Sequence, residues 1–196
     1  KPDPLEGPFF EETIYVTPSR LPAATQAAIL ARTAEAAAAL GLREGPVHAE
    51  LRINDEGMWL VEMAGRSIGG LCSTVLEFGA GISLEEIILR HVVRLPLPST
   101  ERAGGAAGVM MIPIPKGGIL REVAGVEESL TVAGVTGIEI TAPLNQPLTP
   151  LPEGASYLGF IFARGETPES AELALREAHA HLAVRIEPAI TLMAVG

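Results

Sequence analysis

The sequence predicts an α+β chain, an antiparallel sheet with helices followed by a small α+β C-terminal domain. Two observations carry that expectation. A short turn at Asp55, Glu56 and Gly57 separates two strand-like runs, as an antiparallel hairpin requires. Further on, the segment PLPSTERAGGAAG concentrates Pro, Gly, Ser and Thr, as expected of a boundary between two folding units. The expected units are residues 1–95 and 96–196. With 196 residues and 47% hydrophobic side chains, the chain has ample material for a packed core.

The opening KPDPLEGP is rich in proline and polar residues and suits a connection. FFEETIYV then reads as a strand, with β-branched and aromatic residues, that stops before Pro18. From Leu21 to Leu40 the composition turns to alanine with leucine and isoleucine, and Gly41 follows, which predicts a helix closed by a glycine C-cap. Val47 to Asn54 and Met58 to Ala64 form the hairpin strands. Ser83 followed by Glu86 reads as a capping box for an amphipathic helix running to about Leu95. In the second unit VMMIPIP, GIEITA and SYLGFIFAR read as strands, and Thr167 and Pro168 open a helix through about Leu182. PKGG at Pro115 to Gly118 reads as a turn, since no phosphate-loop signature surrounds it.

Composition narrows the function classes. A formal net charge of -10 would repel a phosphate backbone over most of the surface, so a nucleic-acid partner is not expected. No apolar run reaches the length of about 18 residues that a membrane span needs. The single cysteine, Cys72, excludes an internal disulfide framework and is compatible with a reducing cytoplasm. Its apolar neighbours favour burial over nucleophilic use. The first residue is Lys1, with no signal-peptide order behind it, which suggests a start inside a longer chain.

The hairpin carries the chemistry. A three-residue loop at 55–57 pairs Glu50 directly with Glu62 and sorts the side chains by polarity. One face then shows Val47, Ala49, Leu51, Ile53, Trp59, Val61 and Met63 as an apolar layer; the other shows His48, Glu50, Arg52, Leu60, Glu62 and Ala64. Carboxylates directly opposite have Cβ atoms roughly 5 Å apart and repel, so positive charge belongs between them. Arg52 could supply part of it on an ordinary solvated face. The alternative is Mg²⁺, which takes one or two protein carboxylates together with phosphate oxygens and water.

The string GPVHAELRINDEGMWLVEMAGRSIGG resembles the metal-binding hairpin of the ATP-grasp superfamily, where a Glu is followed about twelve residues later by Glu-x-x-x-Arg; Glu50, Glu62 and Arg66 match it. The order of strand, alanine-rich helix, hairpin and amphipathic helix resembles the C-terminal lobe of that fold, and biotin carboxylase is similar across the same stretch. Its pattern has Asn where this chain has Ala64, which leaves one polar contact to a second magnesium in doubt. Ala64 moves the resemblance toward the L-amino-acid ligases, and the segment from AAGVMMIPIPKGG to LREAHAHL is similar to their small C-terminal domain.

The resemblance implies the C-terminal portion of a carboxylate–amine ligase. ATP would phosphorylate a carboxylate, and an amine would capture the acylphosphate to give an amide or peptide bond. Glu50 and Glu62 would hold Mg²⁺ against the nucleotide, Arg66 would be catalytic, and the loop of Ser67, Gly69 and Gly70 would line the substrate pocket. An amino acid is the expected substrate. The implied partners are the small carboxylate and amine and the N-terminal half of the same enzyme, which supplies the phosphate-binding lysines. A homodimer stays open. Two other functions fit the same residues: a biotin-carboxylase-like or carbamoyl-phosphate-type activity, and a catalytically inactive assembly module.

Overall fold

A computed structural model of the protein describes residues 13–79, 81–154 and 156–189. In chain order the elements are β1 (Ile14–Thr17), α1 (Ala23–Ala39), β2 (His48–Asn54), β3 (Gly57–Ala64), a short 3-10 helix (Cys72–Val75), β4 (Glu77–Phe78), β5 (Ile82–Ser83) and α2 (Leu84–Val92). After the composition break come β6 (Ala106–Ile112), β7 (Gly118–Ala124), α3 (Val126–Leu130), β8 (Val135–Ile140), β9 (Pro147–Leu148), β10 (Gly159–Gly165), α4 (Pro168–His181) and β11 (Ala183–Glu187). Most of KPDPLEGPFFEETIYV and AITLMAVG lies outside the described residues.

The chain forms two compact units, one spanning Ser19–Gly104 and the other joining β1 to the described chain from Gly105 onward. β1 precedes α1 in sequence but pairs antiparallel with β6, from Ile14↔Met110 to Thr17↔Ala107. A single cut near residue 95 therefore does not describe the contacts: β1 completes the sheet of the later unit.

In the Ser19–Gly104 unit, α1 ends in a Schellman arrangement. Gly41, at φ 76°, donates to the Ala38 carbonyl, and Leu42 donates to that of Ala37. No residue of α1 is buried, as its run of alanines allows. Ser83 caps α2 by accepting from the Glu86 N–H at 3.1 Å. The expected capping box is only half formed, because the Glu86 carboxylate turns to Arg90 at 2.7 Å.

The other unit holds the buried core. Its four-stranded sheet has the order β1-β6-β10-β8, and a second sheet has the order β11-β7-β9. β6 is paired on both edges and every one of its residues is buried, which explains its unbroken apolar sequence. α4 packs on this sheet through Ala171, Ala174, Leu175 and Ala178. At Gly108 a Cβ would lie 2.9 Å from a Leu175 methyl, so a residue without a side chain lets the helix approach the strand. Thr167 and Ser170 form a complete capping box at the start of α4, with Pro168 in the first turn.

Candidate functional site

The β2–β3 hairpin positions the acidic pair. Glu50 and Glu62 stand directly opposite each other in the register, so their side chains share a face. The route to that pairing differs from expectation. Asn54 pairs with Gly57, which leaves a two-residue turn at Asp55 and Glu56 in place of the three-residue loop. The Asn54 Oδ1 accepts from the backbone N–H of both Glu56 and Gly57 at 3.0 Å, and this side-chain bonding closes the tighter turn. An irregularity between Glu50 and Leu51 then takes up the extra residue and restores the carboxylate pairing.

The shift changes which side chains meet near the tip. Leu51 faces Leu60 and Arg52 faces Trp59, so Trp59 shares the polar face with Arg52 and does not belong to the expected apolar layer. Its indole N–H donates to Asn54 Oδ1 at 3.4 Å. Ile53, Trp59, Leu60 and Val61 are all exposed, so the hairpin covers no core of its own among the described residues. An asparagine just before Asp-Glu-Gly was the available signal for this turn.

Each carboxylate has a guanidinium beside it. Arg52 Nη2 lies 3.0 Å from Glu50 Oε1, and Arg66 Nη2 lies 3.4 Å from Glu62 Oε1. Arg66 also donates through Nη1 to the Ser67 carbonyl at 3.0 Å, folding its side chain against the start of the following loop. A Cβ on Gly69 would come 4.0 Å from Arg66 Nη1, and Gly70 takes a positive φ of 62° where that loop turns. Glu50, Glu62, Arg66, Ser67, Gly69 and Gly70 thus lie along one strand pair and the loop that leaves it.

The donor chemistry fits a hard divalent cation. Two carboxylates on one face supply anionic oxygens, and the Glu62 side chain is 52% exposed, within reach of a ligand. Among the described residues no group of three or more His, Cys, Asp and Glu side chains could hold a metal alone. Phosphate oxygens and water would have to complete the coordination, which is the manner in which Mg²⁺ is usually bound with a nucleotide.

Residues 1–75 match the family model of the ATP-grasp domain, and residues 110–187 match that of the L-amino acid ligase C-terminal domain 2. Over these two segments the chain is similar to ATP-grasp enzymes and to the L-amino acid ligases among them. The structure of an L-amino acid ligase from Bacillus licheniformis is similar at a TM-score of 0.78 and 27% identity, over 93% of this chain and 46% of that one. N5-carboxyaminoimidazole ribonucleotide synthetase from Thermotoga maritima shares the fold, with a TM-score of 0.67, 20% identity, and 89% and 46% of the two chains covered. Biotin carboxylase from Campylobacter jejuni does so at 0.64 and 18%, covering 90% and 40%. A search of curated proteins gave no match. The chain spans about half the length of the solved structures it matches, at 46% or less of each of these three.

Proposed function

We propose that the chain is the C-terminal portion of an ATP-dependent carboxylate–amine ligase that joins an amino acid to an amine through an acylphosphate. The observation that carries this is the face-to-face pairing of Glu50 and Glu62 with Arg66 beside them, within a chain whose two segments match the ATP-grasp domain and the L-amino acid ligase C-terminal domain. Magnesium bound with ATP would neutralise phosphate charge during transfer. Glu50 and Glu62 hold that ion. Arg66, only loosely paired with the exposed Glu62, turns its planar donor fork to the transferring phosphoryl group. The loop of Ser67, Gly69 and Gly70 approaches the substrates with little side-chain bulk. The complete enzyme supplies the rest of the nucleotide pocket, and the cytoplasm is the expected location.

The match over residues 110–187 favours an amino-acid substrate over the bicarbonate used in a biotin-carboxylase-like reaction. The test is ADP formation by the complete enzyme, screened across pairs of amino acids and against bicarbonate. Glu62→Ala should abolish amino-acid-dependent ADP release while the melting temperature stays close to that of the parent, since an exposed surface pair contributes at most about 1 kcal/mol. Unchanged turnover in that variant would leave the chain as an assembly module. ADP release driven by bicarbonate alone would replace the amino-acid assignment.

A further inference from the structure

Glu50 and Glu62 face each other, but their surroundings are unequal. The Glu50 side chain is 20% exposed and its partner Arg52 32%, with 3.0 Å between them. The Glu62 and Arg66 side chains are 52% and 55% exposed, at 3.4 Å. Water screens the second pair more and competes for its donors, so the first is the firmer contact. Covalent placement points the same way. Arg52 sits two residues from Glu50 on β2, where the pleat puts both on one face. Arg66 lies beyond the end of β3, at the start of the loop whose Ser67 carbonyl it also reaches.

Charge makes the difference matter. The two carboxylates and the two guanidinium groups beside them cancel formally; if both guanidinium groups stayed in place, the carboxylates would offer a divalent cation no excess negative charge. If both left, two like charges would face each other until the metal arrived. One arginine that stays and one that leaves resolves both costs. A carboxylate has about four lone-pair sites, so the Arg52 contact by itself does not exhaust Glu50 as a metal ligand.

Resting on the function proposed above, we propose that Arg52 is a positioning residue: it holds the Glu50 carboxylate in place before and during metal binding, while Arg66 is the arginine released to the phosphoryl group. The hairpin irregularity beside Glu50, which sets Trp59 opposite Arg52, is part of that arrangement.

The experiment measures Mn²⁺ binding to the complete enzyme by titration calorimetry with a non-hydrolysable ATP analogue, alongside the Mg²⁺ dependence of ADP formation. Arg52→Gln is expected to weaken Mn²⁺ binding by about 10–100-fold, the usual effect of losing a group that orients a metal ligand. The half-saturating Mg²⁺ concentration rises in parallel, with a much smaller loss of rate at saturating metal. Arg52→Lys keeps the charge without the fork and recovers part of the affinity; it carries the test should Arg52→Gln not fold. Arg66→Gln is expected to show the opposite split, losing rate and leaving Mn²⁺ affinity within about threefold, because it acts on the phosphoryl group. Unchanged Mn²⁺ binding in Arg52→Gln would make Arg52 a bystander, and tighter binding would make it a competitor of the metal; either overturns the proposal. Glu50→Ala and Glu62→Ala, run beside it, separate the two levels. If they weaken binding and Arg52→Gln does not, only the positioning role fails. If they do not, the metal site fails and the role of Arg52 falls with it.

Discussion

Burial raises the Cys72 thiol from 9.0 to about 11, because a side chain withdrawn from water disfavours the thiolate. Between pH 9.0 and about 11 the folded chain keeps a proton that the unfolded chain has released. The resulting stability is complete below that window and is lost as pH rises through it. Iodoacetamide at pH 8.5 should therefore label Cys72 far more slowly than a free cysteine, with the normal rate returning in denaturant; equal rates in the two conditions would refute the burial argument. The acidic pair shows a different residue-scale lesson. The facing of Glu50 and Glu62 was legible in the sequence from the alternation of polar and apolar residues around the turn, whereas Arg66 was singled out only by the resemblance to the ATP-grasp hairpin. The unequal firmness of the two arginine contacts was not legible, since it depends on exposure and on distances of 3.0 and 3.4 Å.

At the scale of elements, helix ends were legible because their signals are local. Ser83, Thr167 with Ser170, and Gly41 sit at the caps that their chemistry predicts. Two glycines with similar backbone angles separate local strain from packing. Gly41 has φ 76° and open space around a notional Cβ, whereas Gly125 has φ 82° and a Cβ would fall 2.0 Å from the His181 carbonyl oxygen. Gly41→Ala should cost about 1–2 kcal/mol, the left-handed backbone penalty alone. Gly125→Ala should cost more, because α4's last residue must also move. Thermal denaturation of the two variants checks the order, and equal costs would show that the His181 backbone yields freely. Strands lacking a run of β-branched residues were missed in the sequence: β7 reads GILREVA and β11 reads AVRIE, and both hold through pairing with each other. Arg121 to Glu187 at 2.7 Å and Arg185 to Glu122 at 3.2 Å tie their exposed side chains.

For the whole molecule, the net charge of -10 opposes a triphosphate, and only two lysines, Lys1 and Lys116, are present to offer it an ammonium group. These 196 residues alone should bind magnesium–ATP weakly and release no ADP; calorimetry showing tight binding to the isolated chain would contradict this. No helix among the described residues is long and apolar enough to cross a membrane.

By itself the sequence determined the caps, the main helices, the hairpin and the facing carboxylates, because each depends on residues within about a dozen positions of one another. Tertiary structure alone decided that β1 joins β6 across some ninety residues and that Arg52 rather than Arg66 is the firmer partner. Those outcomes depend on which edges and faces remain open after the rest of the chain has packed, and no local window of side chains contains that information.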